Sequence, residues 1–345
     1  MGYENKKILF ILKQKHSYGT EITAHGLYNA CNFVARKLSE YGVISQVVQI
    51  DSQNAIADQI ESYNPNYCMI EAIWVSPEKL AELSEMYPNV NFIVRLHSMT
   101  PFLAVEADAF SWIAGYVSIS RAKSNVSLSC NSSGMCRDIE NIHGHCPAHI
   151  PNIYYPNPNV NPDPNYGKKN NDGDLHIGCF GALRILKNHT QQALWAIEFA
   201  NKNKKKLHFH INVPEAEQLD GSPILSNLRS IFDGGRHALV EHDWYTHEQF
   251  LQLVKTMDLG MQISFTETFN IVAADFVHCN IPIVVSKDIT FVNNFCRVDI
   301  NDRKDVMSAM WWADKGRRAG IHKLNNLLLR LRNESATESW LRFIY

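Results

Sequence analysis

Two carboxylates stand eight positions apart in the run 267–286, Glu-Thr-Phe-Asn-Ile-Val-Ala-Ala-Asp-Phe-Val-His-Cys-Asn-Ile-Pro-Ile-Val-Val-Ser. Glu267 directly follows the apolar segment 259–263, and Asp275 falls on the short helix that the next residues favour, so the two acids can reach one ligand. The end of the run, 281–285, is continuous and β-branched, the pattern of a strand buried on both faces of a parallel sheet. Open α/β folds bind ligands at the carboxyl edge of such a sheet. An acid beside a helix start also serves as a plain cap for free amides and the helix dipole, and for either acid alone that reading weighs as much.

Cations complete the chemistry. The run 176–188, His-Ile-Gly-Cys-Phe-Gly-Ala-Leu-Arg-Ile-Leu-Lys-Asn, reads as a strand, a turn containing Gly181 and the start of a helix continuing through 191–200. Arg184 and Lys187 therefore sit near a helix amino end, where the dipole disfavours cations and favours anions. They are either solvated charge or a grip on an anionic ligand. A diphosphate leaving group needs such a cation, and backbone amides at the helix start 269–271 have the geometry of an anion site.

The elements that must position these residues alternate along the chain. Strands are expected at 7–12, 46–50, 67–74, 91–96 and 116–119, with helices at 22–38, 77–86 and 102–113. The Pro- and Asn-rich run 151–174 breaks the pattern and reads as a linker. Strands then return at 175–180, 207–213, 238–241, 259–263 and 281–285, with helices at 191–201, 224–232, 247–255 and 271–278. Alternation of this kind specifies doubly wound parallel sheets, so the fold class is α/β with two Rossmann-like domains. The expected boundaries are 1–155 for the first domain, 156–174 for the linker, 175–320 for the second domain and 321–345 for terminal helices. The tail 302–345 reads as wholly helical and carries Trp311, Trp312, Trp340, Phe343 and Tyr345, an aromatic load that needs a surface to cover, on its own domain or across on the first.

The run 267–286 resembles the signature of the retaining nucleotide-sugar glycosyltransferases of GT-B fold: a Glu, seven residues, a second Glu, a small-residue helix and a Gly-x-Pro-Val-Val strand. Here Asp275 stands at the second Glu, and Asn270 and Asn280 stand where the family has Gly; Asn tolerates positive φ better than most residues. The segment around Gly181 and Leu183 is similar to the family's Gly-Arg-Leu element, with Ala182 at the Arg position and Lys187 on the family Lys. The first domain carries weaker echoes: His97 in Arg-Leu-His-Ser with Ser98, Ser120 at the end of the 116–119 strand, Ile-Pro-Asn-Ile at 150–153, and the turn 16–21, His-Ser-Tyr-Gly-Thr-Glu. That turn, taken with Phe-Thr-Glu-Thr-Phe-Asn at 265–270, also looks like bacteriophage-encoded members.

The resemblance implies transfer of a sugar, with retention, from a nucleoside diphosphate, most readily a UDP-sugar, across a cleft between two domains. It assigns catalysis to Glu267, His97 and Lys187, and the donor to Gly181, Arg184, Lys187, Thr268, Phe269, Asn270, Ile271 and Asp275, with Asp275 on the ribose. His16, Tyr18, Gly19, Thr20, Glu21, Ser98 and Ser120 fall on the acceptor side. No metal or other cofactor is expected. A phage-type enzyme raises hydroxymethylated pyrimidine in DNA as one acceptor, with Tyr18 a stacking candidate for a flipped base; a surface polysaccharide or lipid-linked sugar is the other.

Composition is that of an ordinary globular protein: 345 residues, 45% hydrophobic, 20% charged and a formal net charge of −2, so no overall field draws the chain to nucleic acid. Basic clusters at 168–169, 202–206 and 317–318 are read as solvated faces unless several share one rim. No stretch approaches membrane-spanning length and the first residues are not signal-like, which points to a cytoplasmic location. Eight cysteines without a secretory signal imply reduced thiols. Cys130, Cys136, His143, His145 and Cys146 lack a Cys-x-x-Cys pair and read as scattered loop or core residues rather than a zinc site. Two other classes fit the same architecture: a nucleotide-sugar epimerase or phosphorylase, and a binding module without turnover, for which Ala182, Asn270 and Asp275 are the motive.

Overall fold

The computed structural model describes residues 6–17, 20–22, 25–106, 108–157, 172–213, 218–317, 320 and 322–345, with the side chains of 15–25 and 218–222 left aside. The chain divides into two compact units, Met1–Asn157 with Arg332–Tyr345, and Pro158–Leu331.

The first unit runs β1 (Lys7–Lys13), β2 (Lys15–Ser17), β3 (Thr20–Ile22), α1 (His25–Ser39), β4 (Ile44–Ile50), α2 (Ile56–Tyr63), β5 (Tyr67–Glu71), α3 (Pro77–Met86), β6 (Asn91–Leu96), α4 (Thr100–Leu103), α5 (Ala109–Ala122), β7 (Val126–Cys130), α6 (Ser133–His143) and β8 (Ala148–His149). Among the described residues six strands pair in parallel in the order β4-β1-β5-β6-β7-β8, while β2 and β3 form a separate antiparallel pair. Every second residue of a strand faces the same side, so a sheet covered on both faces is apolar throughout. In β1, Leu9 and Ile11 enter one core with Ile70, Phe92 and Val94, while Ile8, Phe10 and Leu12 enter the other with Met69 and Ile93. Crossovers between parallel strands require the intervening helices. Ser76 caps α3 by accepting from the Lys79 amide at 3.2 Å, and Pro77 sits in its first turn, where no amide is needed.

The second unit runs β9 (Leu175–Gly178), α7 (His189–Lys202), β10 (Leu207–Asn212), α8 (Gln218–Phe232), β11 (Ala238–His242), α9 (His247–Lys255), β12 (Leu259–Gln262), α10 (Ile271–His278), β13 (Ile283–Ser286), β14 (Arg297–Val298) and α11 (Arg303–Gly316). Its sheet is also parallel, in the order β11-β10-β9-β12-β13-β14. Gly178 and Gly260 let β9 and β12 pass beneath Phe276 of α10, since a Cβ at either position would lie within 3 Å of that ring. The last helix, α12 (His322–Ile344), starts in this unit and ends in the first, where Trp340 is fully buried beside Phe10 and donates from Nε1 to the Pro151 carbonyl at 2.8 Å.

Two expectations are overturned. Residues 116–119 are not a strand but the middle of α5, and Ser120 is on that helix, its hydroxyl donating to the Val117 carbonyl at 2.9 Å. Ala109, Ile113, Tyr116 and Val117 are buried at helical spacing, a period that the β-branched look of Tyr-Val-Ser-Ile conceals. The strand itself is β7, Val-Ser-Leu-Ser-Cys. The tail is not one continuous helical run either: α11 ends at Gly316 and α12 begins at His322.

Candidate functional site

In the second unit the loops after β9 and β12 are sewn together. Asn188, in the left-handed region at φ 58°, donates from Nδ2 to the Ile263 carbonyl at 3.2 Å. Gln192 accepts from the Ile263 amide at 2.8 Å, and the Phe265 amide donates to the Leu186 carbonyl at 2.9 Å. This stitching brings Lys187, at the end of a short 3₁₀ turn (Ile185–Lys187), onto Glu267: Nζ to Oε1 is 2.5 Å, with the side chains 29% and 8% exposed. The same carboxylate oxygen accepts from the Ser264 hydroxyl at 2.8 Å and from Asn270 Nδ2 at 2.9 Å.

Asn270 has two duties. Its Oδ1 caps α10 by accepting from the Ala273 amide at 2.8 Å, while its Nδ2 also reaches Gln262 Oε1 at 2.8 Å. The cap fixes the first turn of α10, whose leading amides have no partners within the helix, beside a cation–carboxylate pair at the carboxyl edge of the sheet. The Glu267 amide itself donates to Asp288 Oδ2 at 3.2 Å; burial and the nearby Glu267 charge raise the Asp288 pKa. Gly181, at φ 107°, holds a conformation that side chains resist, and its amide donates to Asn212 Oδ1 at 3.2 Å.

Other expected donor residues are placed as follows. Arg184 is exposed on the turn that carries Lys187, and Thr268, Phe269 and Ile271 are half-buried around the start of α10, Phe269 against Phe291. Asp275 is not part of the Glu267 cluster. It is buried on α10, and its Oδ1 accepts from His247 Nε2 at 2.7 Å.

His97, just beyond β6, belongs to a buried polar group at the carboxyl ends of β5, β6 and β7. Its Nε2 donates to Glu71, and its Nδ1 accepts from Asn131 Nδ2 at 3.3 Å, which fixes the ring at both nitrogens. Arg95, fully buried, donates to Glu71 at 3.1 Å, to the Ile150 carbonyl at 3.1 Å and to Asn152 Oδ1 at 2.5 Å. Burial pushes the Glu71 pKa up, but Arg95 and His97 outweigh it and hold the group below the usual carboxylate value. Burial and Arg95 lower the His97 pKa against the pull of Glu71. Ser98 follows in the half-buried loop. On the expected acceptor side, His16 pairs with Glu21 and Ser17 with Thr20 across β2 and β3, while Tyr18 and Gly19 lie outside the described residues, as do 168–169 and 318.

Several participants escaped the sequence reading. Gln262, Ser264 and Asp288 around Glu267, and Glu71 and Arg95 around His97, are polar residues at strand ends, and that position was the available signal. His189 opens α7 fully buried, and neither ring nitrogen has a hydrogen-bond partner among the described residues; burial first, then Lys187, lower its pKa to about 3. Cys130 and Cys136 are buried core residues facing each other and Cys146 is exposed.

Comparison with known proteins gives the fold. No family model matches the sequence, and no curated protein matches it. Among solved structures, an α,α-trehalose-phosphate synthase (UDP-forming) from Burkholderia vietnamiensis superposes with a TM-score of 0.68 at 11% identity, over 100% of this chain and 97% of that one. A trehalose-6-phosphate protein from E. coli bound with UDP-2-fluoro glucose gives 0.65 at 10% identity, over 98% and 99%. Anabaena Alr3699/HepE in complex with UDP and glucose gives 0.65 at 13% identity, over 99% of both chains. The chain thus has the GT-B fold, two parallel six-stranded α/β sheets.

Proposed function

We propose that the chain is a glycosyltransferase that takes a sugar from a nucleoside diphosphate, a UDP-sugar, and passes it with retention to a hydroxyl acceptor without a catalytic metal. The observation that carries this reading is the Lys187–Glu267 pair, set by Ser264 and Asn270 at the amino end of α10. Structural neighbours that form UDP by name, or were solved with UDP and glucose, support the donor class. As the anomeric C–O bond to the diphosphate breaks, the acceptor oxygen bonds to the anomeric carbon and its proton leaves with the nucleotide. Lys187 and the leading amides of α10 stabilise the charge that grows on the diphosphate, and Arg184 on the same turn adds a second cation. Glu267, held by three donors, accepts from a sugar hydroxyl. Asp275, paired with His247 through Oδ1, fixes α10 and contacts the ribose. The part of His97 and of the 16–21 turn in the reaction rests on the resemblance alone.

The test is a product mass scan. The chain is incubated with mixed nucleotide sugars and with acceptors that include saccharides, lipid-linked sugars and DNA bearing hydroxymethylated pyrimidines, and nucleotide release is followed without acceptor. One sugar gained by an acceptor, or slow release of UDP, supports the reading; the acceptor that gains mass decides between DNA and glycan. Tight nucleotide binding without any turnover would make the chain a binding module, and no binding would remove the donor assignment.

A further inference from the structure

Four histidines run along one face of the second sheet, starting from the amino ends of its strands, opposite to the carboxyl edge that carries Lys187 and Glu267. His176 and His208 are register partners near the amino ends of β9 and β10; His210 lies two residues further along β10 and His242 ends β11. The His176 and His208 rings stack nearly parallel, 4.5 Å apart and 5° between planes. Each Nε2 meets a carboxylate from the segment entering β9: His176 lies 3.0 Å from Asp172 Oδ2 and His208 2.9 Å from Asp174 Oδ2. Donor atoms of Asp172, His176 and His208 all lie within 4.8 Å of one another, and no other set of His, Cys, Asp or Glu among the described residues gathers this way.

We infer that Asp172, His176 and His208 form a three-ligand binding site for a divalent transition-metal ion of the zinc class, with water as the fourth donor. A tetrahedral ion with bonds of about 2.0–2.1 Å spaces its donors by roughly 3.3 Å, close to the 3.0 Å between His176 and Asp172, and His208, within 4.8 Å of both, draws in to complete the set. One carboxylate and two imidazoles make a nitrogen-plus-carboxylate set that suits zinc over magnesium or calcium. The second layer fits as well. A metal-bound imidazole donates its other N–H to a partner that orients the ring, and His176 Nδ1 faces His210 Nε2 at 3.0 Å, with His210 Nδ1 in turn 2.8 Å from His242 Nε2. With Nε2 of His176 on the metal, His176 donates to His210 and His210 to His242, an unbroken chain across three strands. The role is structural: the ion ties the segment before β9 to the amino ends of two strands, remote from the proposed donor site in the same sheet.

The experiment titrates chelator-treated full-length protein with Zn2+ against a chromophoric chelator and with Co2+ read by its visible absorption, and follows thermal unfolding. Wild type is expected to take one equivalent with a four-coordinate Co2+ spectrum and to gain thermal stability with Zn2+. His208→Gln and Asp172→Asn, both at partly solvent-accessible positions, are expected to lose the spectrum, while His210→Gln weakens binding by about 10- to 100-fold as an orienting partner. UDP-sugar binding is expected to survive in all three, which separates this site from the donor site. No stoichiometric uptake by wild type, or uptake unchanged in the His208→Gln, Asp172→Asn double variant, would overturn the assignment.

Discussion

Removing the Lys187 ammonium separates a structural role from a ligand role because the two predict different quantities. Lys187→Met leaves Glu267 with 8% exposure and two remaining donors, Ser264 and Asn270. Breaking a fully buried pair costs about 3–5 kcal/mol, but Lys187 is 29% exposed and Glu267 stays hydrogen-bonded, so the folding loss should be about 1–2 kcal/mol. If Lys187 also stabilises the departing diphosphate, transition-state stabilisation falls by about 2–4 kcal/mol, some 30- to 1,000-fold in kcat/KM for donor. The Lys187→Met, Glu267→Gln double variant sharpens the contrast, since a neutral amide then replaces the buried carboxylate. A Lys that only neutralises Glu267 would give a double variant with restored stability and the turnover of Glu267→Gln alone. The expected result is restored stability with turnover below that of either single variant. Urea midpoints and donor kinetics on the four proteins decide it, and full turnover in Lys187→Met would refute the anion role outright.

Asp275→Glu adds a methylene to a buried helix face locked to His247, so it should cost about 1–3 kcal/mol rather than act as a conservative change, whereas Asp275→Asn should cost less; equal denaturation midpoints would show the site to be slack. Truncating Trp340 to Ala should cost about 3–5 kcal/mol, because it fills the first unit's core, stacks under Arg95 and satisfies the Pro151 carbonyl; a loss under 1 kcal/mol by urea denaturation would contradict that packing. Stability should fall with acid from near neutrality: His189 is lowered to about 3, so unfolding takes up a proton below the ordinary value of 6.5, at about 1.4 kcal/mol per pH unit. Glu71, held below its ordinary value of 4.5, adds stability that is present above 4.5 and lost as pH falls below it. His189→Leu should flatten the slope between pH 6.5 and 4, and an unchanged slope would show that His189 is not buried neutral.

Legibility followed periodicity. Segments whose pattern had one reading, such as 77–86, 91–96, 247–255 and 271–278, are the elements α3, β6, α9 and α10. Tyr116–Ile119 failed because four residues cannot show a 3.6 period, and β7 escaped because its two serines dilute a buried strand. The cysteine-rich run 130–146 resolves into the end of β7 and an amphipathic α6 with Met135, Cys136 and Ile139 turned inward, so the thiols of Cys130 and Cys136 are core groups. The ligand types in that run are close in sequence, whereas Asp172 and His176, four residues apart, are joined to His208 only by strand register.

The same distinction explains the site. Glu267 and Lys187 each sit at a strand-to-helix turn, and their meeting requires only that β9 and β12 be neighbours. What the sequence could not express is that Asn270 caps α10 and binds Glu267 with opposite ends of one amide. Glycine at this position would keep the backbone free but supply neither contact. The Asn therefore exchanges conformational freedom for a fixed carboxylate, and Asn270→Gly tests that exchange: helix capping falls by only a few tenths of a kcal/mol when Gly replaces a polar cap. Any larger loss of donor turnover reports the released Glu267. Turnover unchanged in Asn270→Gly would mean that Ser264 and Lys187 alone hold the carboxylate in place.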